Sequence, residues 1–63
     1  MWSYIIYYDV VLLRDSSDFG LTFETEEEAI KNAEDMKNEY MLYGYLEGAE
    51  YNPTLFDIDI MEV

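Results

Sequence analysis

Cysteine and histidine are both absent from this chain, and with them go disulfide bridges and the usual zinc sites. The same two absences remove the commonest catalytic base and the most nucleophilic side chain. No glycine-rich phosphate loop stands before a helix, and a hydrolase run by two carboxylates needs a deep cleft that 63 residues hardly enclose. The expectation is a non-enzymatic protein with no cofactor and no metal.

Positive charge is scarce too. Three Lys and Arg residues face fifteen Asp and Glu, which sets the formal charge at −12. Nucleic acid and anionic lipid are repelled by such a chain, while basic protein surfaces are attracted. Stacking on single-stranded bases normally needs a basic groove, so direct nucleic-acid binding is not expected. Long hydrophobic runs are also missing: the stretch from Tyr4 to Leu13 is broken by Asp9 and falls well short of the ~20 residues that span a bilayer. No cation precedes Arg14, where a secretory leader would need one, so no membrane partner is expected and the cytoplasm is the expected compartment.

What remains is rich in apolar and aromatic groups, at 51% of residues with seven tyrosines. A disordered acidic tail lacks such groups, so the composition predicts a folded body under an acidic coat, a single domain over 1–63. A chain this short buries only about 60% of the surface its unfolded form exposes. Stability must then come from good packing or from self-association.

The run from Trp2 to Leu13 predicts one long strand, with Trp2, Tyr4, Ile6, Tyr8, Val10 and Leu12 on one face at period two. Its other face carries Ser3, Ile5, Tyr7, Asp9, Val11 and Leu13. Arg14 to Asp18 is turn-forming, Gly20 can supply a positive φ, and a short second strand is expected at about 19–24. Thr25 and Glu28 have the spacing of a capping box, so a helix begins there, with Glu26, Glu27 and Glu28 in its first turn. Ile30, Ala33, Met36, Tyr40 and Tyr43 mark its expected buried stripe, and Gly44 its expected stop. Residues 45–54 read as a loop. Leu55 to Val63 alternates again, with Phe56, Ile58 and Ile60 on one face and Asp57 and Asp59 on the other. The order predicts an α+β domain of ββαβ type, a three-stranded, mainly antiparallel sheet with one helix packed on one face.

Three groups of residues are candidates for function. Glu27, Glu34, Asp35 and Glu39 lie away from the expected stripe, diluted only by Lys31 and Lys37; with Asp57 and Asp59 they are the electrostatic candidates for docking on a basic surface. Seven residues of helix rise about 10 Å, so a row of carboxylates can approximate part of the field of a nucleic-acid backbone. The alternative is a solvated face that keeps a small protein soluble. Tyr7, Tyr43 and Tyr45 are candidate anchors, since a large, nearly rigid ring comes with a hydrogen-bonding tip. Core packing with the hydroxyl at the rim is expected instead for Tyr4, Tyr8 and Tyr40. Ile5, Tyr7, Val11 and Leu13 form a candidate self-association face, as in a two-fold homodimer. Asp57 and Asp59, with Asp9, have the makings of a cation cluster, but charges on an edge strand more often block unwanted pairing.

In size, in charge and in its expected compact mixed fold, the whole chain resembles a class of small acidic proteins of bacteriophages and mobile elements that block host nucleic-acid enzymes, among them anti-CRISPR, anti-restriction and other DNA-mimic inhibitors. The resemblance rests on no motif, so no residue role is carried over. It implies an inhibitor that docks on the basic surface of a nucleic-acid-binding or defence protein, in the host cytoplasm. The other reading open at this point is a small homo-oligomeric structural or regulatory subunit whose charge serves only solubility.

Overall fold

A computed structural model describes all of residues 1–63. Three strands, β1 (Trp2–Tyr8), β2 (Val11–Asp15) and β3 (Phe56–Glu62), form one sheet in the order β2-β1-β3, and a single helix, α1 (Glu26–Leu46), packs across one face. Both strand pairings are antiparallel. The expected ββαβ architecture is therefore the observed one, but its first two strands are drawn from different residues.

The apolar run from Trp2 to Leu13 is a hairpin, not one strand. The chain reverses at Asp9 and Val10, whose φ angles of 48° and 62° are the signature of a type I′ turn. Such turns favour Asn-Gly or Asp-Gly because both central residues enter the left-handed region. Here a valine occupies the second position, 88% exposed, so a β-branched side chain bears the strain without burying anything. Val10 and Leu12 accordingly leave the core face expected for them. The segment expected as a second strand at 19–24 contributes only one bridge, between Phe23 and Trp2, closed by reciprocal N–H to O bonds of 2.7 and 2.8 Å.

Between β2 and that bridge, Ser16–Phe19 form a 3₁₀ turn. Asp15 accepts from the Ser17 amide at its start, and Gly20, at φ 69°, closes it. The positive φ expected of Gly20 is thus used. Ser16 is buried and its hydroxyl accepts the Tyr4 N–H at 2.9 Å, satisfying a backbone amide that the end of β2 leaves unpaired.

The helix starts where the capping residue predicts, with the Thr25 hydroxyl accepting the Glu28 N–H at 3.2 Å. Its buried side is narrower than the expected stripe. Ala29, Ala33 and Gly44 are buried and Met36 and Tyr40 half-buried, while Ile30 and Tyr43 are exposed. Small residues lie where α1 crosses the sheet because they let the helix approach closely. Gly44 does not stop the helix: it lies inside it, against the Tyr51 ring, in space that a Cβ would have to share. The helix ends two residues later, and the left-handed position beyond it belongs to Gly48, at φ 83°. Tyr45 and Leu46 are therefore helical, and the loop is shorter than expected, with a 3₁₀ turn at Pro53–Leu55.

Tyr4 and Ile6 are fully buried and, with Ala33 and Phe56, make the core, flanked by Tyr8, Leu13, Phe23, Tyr51, Ile58 and Ile60 among others. On β3, Phe56, Ile58 and Ile60 face the helix as alternation predicts, and Asp57 and Asp59 are exposed.

Replacing Val10 by glycine should stabilise the protein by about 1 kcal/mol, because the left-handed penalty disappears and no burial is lost; urea denaturation at low protein concentration measures this. In the same assay Ser16→Ala should cost about 1–3 kcal/mol, since it orphans the buried Tyr4 amide. The hydroxyl of Ser3 is equally buried but has no hydrogen-bond partner. Ser3→Ala should therefore be close to neutral; equal losses for the two serines would contradict this account.

Candidate functional site

Fourteen of the fifteen carboxylates are exposed, Asp15 alone being half-buried. The cations behave differently. The Arg14 guanidinium lies 4.4 Å from the centre of the Phe19 ring, and Lys37 extends its ammonium to 5.9 Å from that of Phe56. Burial works to lower the Arg14 pKa, but the Tyr40 and Tyr4 phenols beside it outweigh that effect and hold it above its ordinary value. Arg14 and Lys37 are half-buried and Lys31 is exposed, so folding covers part of the positive charge of a surface already short of it.

On α1 the candidate carboxylates fall in two rows. Each residue turns the helix by about 100°, which puts Glu27 and Glu34 along one flank and Asp35, Glu39 and Glu28 along the other. A ridge of Lys31, Asn38 and Leu42, all exposed, runs between them. The single coherent face expected for Glu27, Glu34, Asp35 and Glu39 is therefore divided, because Glu34 and Asp35 are consecutive and point about 100° apart.

On the sheet, the face opposite α1 carries no helix. Cross-strand pairing sets Asp57 beside Tyr7 and Asp59 beside Ile5, with Leu12 and Asp15 as the partners of Tyr7 and Ile5 on the other side. Directly opposed residues place their Cβ atoms about 5 Å apart. A half-buried apolar strip, Ile5 and Tyr7, is thereby flanked by two carboxylates on the β3 side and by Leu12 and Asp15 on the β2 side. This brings Tyr7 together with Asp57 and Asp59, a pair that the sequence had grouped only with each other.

The other candidates do not join them. Tyr43 and Tyr45 project from the last turns of the helix, 59% and 73% exposed. The expected self-association face of Ile5, Tyr7, Val11 and Leu13 is broken up by the hairpin. A register shift opposite Ile6 and Tyr7 inserts one extra residue in β2, so Leu13 turns toward the core and Val11 lies opposite Tyr8, on the helix side. Tyr4, Tyr8 and Tyr40 pack as expected; the Tyr4 hydroxyl donates to Asn32 Oδ1 at 2.7 Å, and that of Tyr8 accepts the Asn52 N–H at 2.9 Å. Tyr51 also packs inward, edge-on to Tyr8 at 4.8 Å between ring centres.

No family model, curated protein or solved structure matches this chain. Asp9 sits in the hairpin turn, away from the row that Asp59 occupies, and nowhere do three acidic side chains gather as metal ligands would. The one surface depression, lined by Thr25, Glu26, Glu27 and Ile30, is wide open. No helix is long and apolar enough to cross a membrane. The arrangement suits contact with a large cationic surface more than enclosure of a small molecule.

With so few cations to offset them, the carboxylates repel one another in the folded state more than in the expanded chain. Added sodium chloride should accordingly raise the melting temperature, followed by far-UV circular dichroism at low protein concentration. A melting temperature that is flat or falls with salt would show that the acidic coat carries no net repulsion.

Proposed function

We propose that this protein is a non-enzymatic binding protein that docks its acidic surface on the basic surface of a nucleic-acid-binding protein and inhibits it by occupying the place of the nucleic acid. The observation that carries this reading is the asymmetry of exposure: the carboxylates face water while two of the three cations lie against aromatic rings. Solubility alone is served in a small domain by a net charge of about 2–8 in magnitude, and this chain carries −12. An excess of one sign instead steers encounters with a partner of the other sign and repels nucleic acid itself.

Within that surface the sheet face is the docking site. Tyr7 and Ile5 supply the apolar anchor, and Asp57 and Asp59 pair with Lys or Arg of the partner. The two carboxylates, two residues apart on β3, are about 7 Å from one another and share a face, so one rigid strand presents both. The helix rows of Glu27 with Glu34 and of Asp35 with Glu39 contribute longer-range attraction. Charge then governs the rate of encounter, and the apolar contacts govern the lifetime of the complex. This assigns the chain to the kind of small acidic inhibitor that its size and charge resemble, acting in the compartment of its target, the cytoplasm.

Salt-graded affinity capture from a cell lysate tests the reading. Immobilised protein should retain a nucleic-acid-binding protein at low salt, and either high salt or added duplex DNA should release it. The double variant Asp57→Lys with Asp59→Lys should weaken retention at least about tenfold, the scale of one lost hot spot. Glu34→Lys with Asp35→Lys, on the helix side, should slow association more than it shortens the complex. Retention that survives high salt, or that both double variants leave intact, would sink the proposal.

A further inference from the structure

Strand β3 lies at the outer side of the sheet and is bonded along one edge only. Its register with β1 is unbroken, and two flanking bonds, from the Asp9 N–H to the Leu55 carbonyl at 3.0 Å and from the Val63 N–H to the Met1 carbonyl at 2.8 Å, fix its phase. In an antiparallel ladder, opposed residues alternate between pairs that exchange both bonds and pairs that exchange none. Asp57, Asp59 and Met61 therefore bond to β1, while Phe56, Ile58, Ile60 and Glu62 turn their N–H and C=O groups outward. No other segment of the chain bonds these outward groups.

The two edges of the sheet are not alike. On the far side, β2 has five residues, an interrupted register and a 3₁₀ turn directly after it, and short or bulged edges discourage a further strand. In β3 there are seven residues, no proline and no irregularity, so its edge is a template for another extended segment. Its side chains then restrict what that segment can be. Asp57 and Asp59 are exposed on the face away from α1, and Ile58 between them is half-buried on the helix side.

We infer that the free edge of β3 accepts an extended, antiparallel segment of a partner protein in which Lys or Arg alternates with apolar residues. Main-chain groups of the edge supply the bonds, and the alternating side chains supply the choice of segment. Because Asp57 and Asp59 spend their own N–H and C=O groups on β1, the added residues opposite them form pairs of the closer, non-hydrogen-bonded kind, with Cα atoms about 4.5 Å apart. A Lys or Arg at either place reaches the carboxylate beside it. The residue between them falls opposite Ile58, where an apolar side chain extends the layer beneath α1. Charge excludes a second copy of this chain from the same place. If a copy added its own β3 antiparallel, every two-fold axis from Asp57 to Asp59 would set aspartate against aspartate, and like charges directly opposed destabilise a pair. The aspartates thus keep the edge from pairing with itself and leave it open to a cationic strand. This deepens the docking reading proposed above and rests on it for the sign of the partner's charge.

A short synthetic peptide of alternating lysine and valine, blocked at both ends, is the probe, and the full chain is its receptor. Fluorescence anisotropy should show binding that weakens as salt rises. Hydrogen exchange followed by NMR should show the Ile58 and Ile60 amides becoming protected in the complex, which contact through side chains alone would not achieve. Methylating the valine nitrogens, whose N–H groups face β3, should weaken binding at least about tenfold, whereas methylating the lysine nitrogens, which face away, should leave it unchanged. Asp57→Asn with Asp59→Asn should keep the native circular dichroism spectrum and also weaken binding at least about tenfold. Lysate capture that persists when the peptide fails to bind would leave the inhibitor reading standing without this edge site, and peptide binding without lysate capture would do the reverse. A peptide that does not bind, exchange at Ile58 and Ile60 that binding leaves unchanged, or methylated lysines that harm binding as much as methylated valines would each overturn the inference.

Discussion

Tyr4 is the residue through which the rest of this structure is held. Its backbone amide is taken by Ser16, its hydroxyl by Asn32 of the helix, and its ring stacks on Phe23 at 6.0 Å between centres. It also stands beside the Arg14 guanidinium. One residue on the central strand therefore ties together the 3₁₀ turn, the helix, the bridge segment and the edge strand β2. With Ile6 it is one of only two large side chains wholly removed from water. In a chain this short no second core competes with that one, so every other element is placed by its relation to β1.

The constraint has a consequence for the surface. Because the interior is filled by a few aromatic and small residues along β1, α1 and β3, much apolar material has nowhere inside to go. It appears in two places, on the sheet face around Ile5 and Tyr7 and at the pole of the hairpin tip and helix end. The first has Asp57 and Asp59 of β3 along one side and Asp15 of β2 beside Ile5 on the other. The second holds Asp9 at the hairpin tip and Glu47 and Glu50 beside the helix end.

The sequence was readable where a local chemical rule had a local residue to carry it. Thr25 with Glu28 announced the helix start, Gly20 the left-handed position after the 3₁₀ turn, and the alternation of Phe56 to Ile60 the faces of β3. The hairpin was unreadable because its turn uses Asp9 and Val10. Neither is glycine, asparagine or proline at the strained second position, so two strands looked like one continuous period-two run. The error in the helix stop has a different cause. Gly44 looks like a terminator in sequence, but it is kept small by Tyr51, a contact across seven residues that no local pattern reveals.

The amino-acid sequence by itself determined the sign and size of the charge, the exclusion of cysteine and histidine chemistry, the α+β class, and the alternation that sets Asp57 and Asp59 on one face. All of these follow from composition or from neighbours within a turn or a strand. Only the tertiary structure decided that Arg14 and Lys37 fold against aromatic rings, that Tyr7 comes to lie beside Asp57, and that the hairpin tip lies close to the last turns of the helix. Those facts depend on the reversal at Asp9 and Val10, on strand register and on packing between segments far apart in the chain. Short-range preference carries no information about such distances.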